Sequence, residues 1–341
     1  MRLALFTDAW HPQINGVVRT WSSVIEALPG VRPGLETVVM HPGQFPNMPA
    51  PGYPEIRLAA ATPGAAGRFI DRHRPAAIHI ATEGPIGRAA RRVCRTRGLR
   101  FTTSFHTQFP EYLRTYYRIP GAVTYGYLRA FHTGASAVLA PTERVSRNLR
   151  DKGLKNVVTW RRGVDTRRFT PAAEAPGFRP RFARQPRPIC LYVGRVAPEK
   201  NLEAFLRADL PGTKAVVGDG PARRDLQSRY PDTVWCGAWS GDDLIDHYRD
   251  ADVFVFPSRT DTYGVVMLEA NAVGLPVAAY PVTGPLDVVK PGETGVLHDD
   301  LATATRAALA LDSGPCIAHA RSQSWHAVAE VLVAHLAWLN P

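Results

Sequence analysis

The chain has 341 residues, 45% of them apolar, which suffices for two domains of ordinary size with real cores. No apolar run approaches the roughly 18 residues of a membrane span, and the opening run Leu3–Phe6 is too short for a leader, so neither a span nor a secretory signal is expected. The net charge of +11 is lopsided: residues 1–171 hold 25 Lys and Arg against 10 Asp and Glu, whereas residues 172–341 hold 16 against 20, which points the first half toward a polyanionic partner such as a membrane surface, nucleic acid or phosphate-bearing substrates.

Short β-rich runs alternate with helical patterns along the chain. Strands are predicted at Arg2–Phe6, Thr37–Met40, Ala77–Ile80, Phe101–Ser104 and Ala137–Ala140, and helices at Val17–Ala27, Ile86–Thr96, Val123–Thr133 and Glu143–Lys152. Five prolines in residues 171–188 break this pattern and read as a linker. The alternation then resumes with strands Ile189–Val193, Lys214–Val217, Val234–Cys236, Val253–Phe256 and Pro276–Ala279. Helices are expected at Asn201–Ala208, Pro221–Arg229, Asp242–Asp250, Val265–Val273 and Ser324–Leu339. The expected fold is α/β: two Rossmann-like doubly wound domains, 1–170 and 189–320, facing each other across a cleft, followed by a terminal helix in 321–341.

Five stretches hold candidate chemistry. In Asp261-Thr-Tyr-Gly-Val-Val-Met-Leu-Glu269, Gly264 opens a helix after a buried strand; its free N–H groups suit a phosphate, with Asp261 and Glu269 facing one pocket. The alternative is that Asp261 or Thr262 only caps the helix. Arg195 and Lys200 flank a turn after a strand and suit a diphosphate; the alternative is two solvated charges. Asn15-Gly16 is turn chemistry at a helix start, again a possible phosphate site, and Gly218-Asp-Gly220 is half of a dinucleotide fingerprint. His106 closes a strand of the first half and reads as a core or cleft-lining side chain. Arg88, Arg91, Arg92 and Arg95 share one helical face, which suits anionic lipid headgroups or is simply solvated.

The scattered Cys94, Cys190, Cys236 and Cys316 favour reduced thiols in the cytoplasm and argue against structural zinc. Asp250-Ala-Asp252 has a DxD form, read as helix capping, so no metal is expected. A nucleic-acid partner lacks any recognisable module.

The glycine-bearing loop after the first strand, the Gly-Arg…Glu-Lys pair and the acid-x7-acid stretch, in that order, resemble the retaining GT-B glycosyltransferases of family four over nearly the whole chain. "TDTYG" and "DAWHPQINGVVRT" look closest to a bacterial subgroup of GDP-mannose-dependent mannosyltransferases and diacylglycerol glycosyltransferases. Asp261 replaces that family's first Glu.

The resemblance implies that Arg195 and Lys200 neutralise the departing diphosphate and that Glu269 takes the ribose hydroxyls. Asp261 and the backbone of Thr262, Tyr263, Gly264 and Val265 would hold the donor sugar. Gly16 would lie against the diphosphate, His106 would reach the sugar from the opposite domain, and the terminal helix would cross back onto the first domain. It further implies a metal-independent transfer of a hexosyl unit from a UDP- or GDP-sugar to a lipid such as diacylglycerol, at the inner face of the plasma membrane and without a cofactor. A nucleotide-sugar epimerase or another GT-B enzyme acting on a soluble substrate is the competing reading.

Overall fold

The computed structural model describes residues 1–13, 15–50, 53–106, 120–261 and 263–339. The chain divides into two compact units, Met1–Arg162 with Trp325–Pro341, and Gly163–Ser324.

In the first unit, β1 (Arg2–Phe6) leads to α1 (Gly16–Val31) and β2 (Glu36–Met40). The hairpin β3 (Asn47–Ala50) and β4 (Tyr53–Ala59) precedes α2 (Pro63–His73). There follow β5 (Ala77–Ile80), α3 (Pro85–Thr96), β6 (Thr102–Ser104), α4 (Gly121–His132), β7 (Val138–Ala140), α5 (Glu143–Asp151) and β8 (Val157–Thr159). The parallel sheet runs β2-β1-β5-β6-β7-β8. Strands such as β1 and β5 are covered on both faces, so Leu3–Phe6 and, apart from the buried His79, Ala77–Ile80 are apolar without alternation, as a doubly wound sheet requires.

The second unit contains β9 (Ile189–Val193), α6 (Leu202–Arg207), β10 (Thr213–Val217), α7 (Arg223–Arg229), β11 (Val234–Gly237), α8 (Gly241–Arg249), β12 (Val253–Phe256), α9 (Val265–Ala272), β13 (Val277–Ala279), α10 (Pro285–Val288), β14 (Gly295–Leu297), α11 (Leu301–Ala308) and α12 (Ser313–Arg321). Its sheet order is β11-β10-β9-β12-β13-β14. The order reverses between β9 and β12 here, and between β1 and β5 in the first unit. Crevices beyond the strand ends at these two reversals are where such folds take ligands.

The last helix, α13 (Trp325–His335), belongs to the first unit. Val328, Leu332 and Leu336 pack with Trp21, Val24 and Leu28 of α1, and Trp160 Nε1 donates to the Val328 carbonyl at 2.9 Å.

The proline-rich segment 171–188 is no free linker. The unit boundary falls earlier, between Arg162 and Gly163, and the segment is wrapped onto the second unit. Phe182 is buried in its core against His247, with ring centroids 5.7 Å apart. Asp250 accepts from the Phe182 N–H, Asp252 accepts from Ile189 N at 2.6 Å, and Arg187 pairs with both carboxylates. The DxD pair thus clamps this segment rather than merely capping a helix. Proline count excludes regular hydrogen-bonded structure but not packing, because an irregular segment can be held by side chains that serve its backbone N–H groups.

Candidate functional site

The loops that follow β9 and β12 meet at the second unit's reversal point. Gly194 N donates to Val217 O at 3.0 Å, and Gly218 N to Gly237 O at 2.8 Å, so three neighbouring strand ends form one row of backbone. Glycine is required in it. A Cβ on Gly218 would stand 1.8 Å from Gly194 O, and one on Gly220 2.3 Å from Val196 O, both at positive φ. We expect Gly218→Ala to lower stability by about 1–3 kcal/mol through overpacking and backbone strain, measured by denaturant unfolding; an unchanged midpoint would contradict this crowding.

Beyond this row the two loops are stitched together. Asn201 Nδ2 donates to Pro257 O at 3.1 Å, Thr260 Oγ1 to Glu199 O at 3.2 Å, and Lys200 Nζ to Asp261 Oδ1 at 2.6 Å. Arg195 leaves the end of β9 with Nη1 3.7 Å from Glu199 Oε1. Lys200 and Asp261, 61 residues apart in sequence, are therefore direct partners. Burial works to raise the Asp261 carboxyl, but Lys200 and Ser258 outweigh it and hold the group below the usual carboxylate range. Its second oxygen, Oδ2, is a buried acceptor with no hydrogen-bond donor among the described residues. A buried acceptor left without a donor carries a desolvation penalty that a ligand hydroxyl would relieve.

Gly264, at φ +83, sets the start of α9; a Cβ there would meet Met267 Cε at 2.7 Å and Phe256 Cζ at 2.9 Å. Among the described residues no side chain caps this helix; Met267 N donates to Gly264 O at 3.0 Å, which leaves the N–H groups of Val265 and Val266 to a ligand or to water. Tyr263 is buried, Val265 opens the helix, and Thr262 lies outside the described residues. Glu269 is buried one turn further on, where Tyr248 donates its hydroxyl to Oε2 at 3.0 Å. Tyr248 had no sequence signal, since its position in α8 is tied to Glu269 only through packing.

In the first unit, Gly16 opens α1 with open space at its Cβ position, while Asn15 Oδ1 accepts from Val17 N and Val18 N at 3.0 and 3.1 Å. That helix end therefore carries its own cap. His106 is buried. Trp21 Nε1 donates to its Nε2 at 3.1 Å, Ser104 Oγ lies 2.9 Å from the same nitrogen, and Arg162 Nη2 lies 3.2 Å from Nδ1. Indole and guanidinium only donate. A protonated ring would face donors on both sides, and burial, with Arg162 and His79 adding to it, holds His106 well below the ordinary histidine value. His79 behind it is pushed down to about 3 by burial and His132. His106 is thus a neutral ring engaged inside its own unit.

Sequence reading singled out neither Arg162 nor Asp8. Asp8 accepts from Ile86 N at 2.8 Å, from Gly87 N at 3.4 Å and from Thr82 Oγ1 at 2.7 Å, and so occupies the start of α3 at the first unit's reversal point. Burial raises its pKa, and Glu83 adds to the effect. An acid two residues past a strand end is the available signal.

The four arginines of α3 do not act alike. Arg88, Arg92 and Arg95 are exposed, whereas Arg91 is committed to the carbonyls of Ala130 and Thr133 and so ties α3 to the end of α4. All four lie on one face, as the spacing requires, but helical spacing cannot reveal that the end of a neighbouring helix lies within reach of Arg91.

Two doubly wound units, with a cation–carboxylate pair and an uncapped helix at one reversal point, define a Rossmann-type ligand-binding protein of the GT-B kind. Residues 22–168 match the family profile "Glycosyltransferase Family 4" and residues 187–311 the profile "Glycosyl transferases group 1". The chain is 31% identical over 318 residues to a GDP-mannose-dependent alpha-mannosyltransferase of Mycobacterium tuberculosis, covering 87% of this chain and 83% of that protein. It is 25% identical over 320 residues to an alpha-monoglucosyldiacylglycerol synthase of Streptococcus pneumoniae, covering 82% and 71%. Among solved structures, sucrose-phosphate synthase of Thermosynechococcus elongatus superposes with a TM-score of 0.79 at 21% identity, over 98% of this chain and 97% of that one. The chain belongs to glycosyltransferase family 4 and has its GT-B fold.

Proposed function

We propose that this glycosyltransferase moves a hexosyl unit from a nucleoside diphosphate sugar to the hydroxyl of a membrane lipid, with retention of configuration and without a metal. Arg195, Lys200 and the first N–H groups of α9 take up negative charge as the diphosphate departs. Charges and dipoles fixed in advance need no reorganisation when the transition state forms. Asp261 Oδ2 accepts a donor-sugar hydroxyl and Glu269 accepts from the ribose. Thr262, Tyr263 and Val265 lend backbone to the sugar, Gly16 gives the diphosphate a bare approach, and His106 offers a neutral ring edge. The leaving phosphate takes the acceptor's proton, so no enzyme nucleophile is needed.

The observation that carries this reading is the 2.6 Å contact of Lys200 with Asp261, beside the uncapped start of α9 and with Oδ2 still lacking a donor. The relatives named for GDP-mannose and for monoglucosyldiacylglycerol synthesis support a sugar nucleotide and a lipid acceptor. The test is a panel of UDP- and GDP-sugars with lipid extract as acceptor, in excess EDTA, with the product anomer read by NMR. Consumption of none of the donors, or an inverted product, would overturn it.

No described helix is long and apolar enough to cross a membrane. The reading therefore places the enzyme at the inner face of the plasma membrane, held by charge. Each arginine near an anionic surface contributes about 1 kcal/mol. Replacing Arg88, Arg92 and Arg95 by Gln is expected to cut co-sedimentation with vesicles containing phosphatidylglycerol by at least tenfold at low salt. Unchanged sedimentation would remove α3 as the docking face. Arg91 is left in place because of its structural contacts.

A further inference from the structure

We propose that Asp261 competes with the diphosphate for Lys200, so that the site retains an intact sugar nucleotide and sheds the nucleoside diphosphate left after transfer. The inference rests on the donor reading above and adds to it a means of telling substrate from product.

Both leaving-group cations have a carboxylate beside them. Arg195 Nη1 lies 3.7 Å from Glu199 Oε1, four residues on. Lys200 Nζ lies much closer, 2.6 Å, to Asp261 Oδ1, in the loop after the adjacent strand β12. The Lys200 and Asp261 side chains are 25% and 22% exposed, so a ligand at the strand ends reaches the pair. An ion pair open to water contributes little net stability. A diphosphate, with more charge and more acceptor oxygens than one carboxylate, therefore draws Lys200 away.

The consequence falls on Asp261. Burial disfavours its charged form, and Lys200 is the largest of the influences that offset this. Among the described residues no other cation takes that place: Arg195 faces Glu199, and Arg259 lies over the Tyr280 ring, 3.7 Å from its centroid. Tyr192 donates its hydroxyl to Arg195 O, and burial with Asp261 and Glu199 pushes its phenol up, so it stays neutral. A carboxylate that loses its cation takes a hydrogen bond from a ligand or takes a proton. An intact donor brings a sugar hydroxyl. A nucleoside diphosphate brings none there, and its own charge repels the carboxylate. Donor binding thus leaves both side chains partnered, whereas product binding drives Asp261 to protonate. Uptake of a proton on binding means that affinity for the product falls as pH rises from the paired value, below the ordinary aspartate pKa of about 4, to the higher value of the product complex. Once the sugar has gone, Asp261 reclaims Lys200 and the nucleotide is loosened.

The test is titration calorimetry of UDP, GDP, UDP-glucose and GDP-mannose with the full chain, without lipid, in buffers of different ionisation enthalpy. Near pH 5 the wild type should take up more protons with a nucleoside diphosphate than Asp261→Asn does. Near neutrality Asp261→Asn should bind that nucleotide at least threefold tighter and lose most of the preference for its sugar nucleotide. Asp261→Glu, still an acid, should keep both the proton uptake and the preference. In the Lys200→Ala background most of the tightening by Asp261→Asn should vanish, because the two residues act through one contact. Tightening of the same size in both backgrounds would reduce Asp261 to a general repulsive charge and overturn the proposal. So would an unchanged affinity in Asp261→Asn. Either result leaves the transfer reading standing, whereas binding of none of the four ligands would remove the donor reading itself.

Discussion

Lys200→Ala is expected to lower kcat for glycosyl transfer by about 10²–10³-fold, the usual cost of removing one preorganised charge aimed at a developing anion. Arg195→Ala should fall in the same range. The fall should appear in kcat more than in KM, because the charge on the departing diphosphate is largest in the transition state and a contact strengthened only there accelerates the step. Steady-state rates with saturating donor read this directly, and wild-type kcat in both variants would remove the leaving-group role.

Lys200→Ala has a second consequence through Asp261. In the wild type Lys200 outweighs burial and holds this carboxyl low. A folded pKa below the unfolded one means that the stabilisation is present above about 4, the ordinary aspartate range, and is lost as pH falls through the folded value. The melting temperatures of wild type and variant should therefore differ most near neutrality and converge in acid. A difference that widens in acid would contradict the assignment.

Phe182→Ala is expected to destabilise the second unit by about 3–5 kcal/mol, the range for removing a buried aromatic ring and leaving a cavity. That corresponds to a fall in melting temperature of roughly 10 °C for a unit of this size. The ring packs beside His247, and its own backbone N–H is held by Asp250. The side chain thus pins the middle of the 171–188 stretch to α8, and Arg187 holds its end. Unfolding followed by near-ultraviolet circular dichroism would show the loss; a flexible linker would show none.

Much of the fold was legible before any coordinates. The apolar runs of β1, β5, β9 and β12, with helical spacing between them, already required buried parallel strands, because a strand covered on both faces has no polar side to show. The hairpin of β3 and β4 and the short β8 and β14 escaped notice. β3, β8 and β14 have only three or four residues, and the seven-residue β4 carries Pro54, Glu55 and Arg57, so none leaves an apolar run that stands out. The linker reading failed for a related reason: proline content reports what the backbone cannot do, whereas Phe182 and Arg187 decide what it packs against.

The candidate site divides in the same way. Local chemistry alone marked Arg195, Lys200, Asp261, Gly264 and Glu269, because a glycine that opens a helix and cations after a strand are legible over a few residues. The partnership of Lys200 with Asp261, the Tyr248 hydroxyl on Glu269, the donors that surround His106, the loss of Arg91 to the end of α4 and the Glu83–His132 contact were decided by tertiary structure alone. Hydrogen bonds and ion pairs act over a few ångströms in space, and residues dozens of positions apart come within that range only when the sheets bring their loops together.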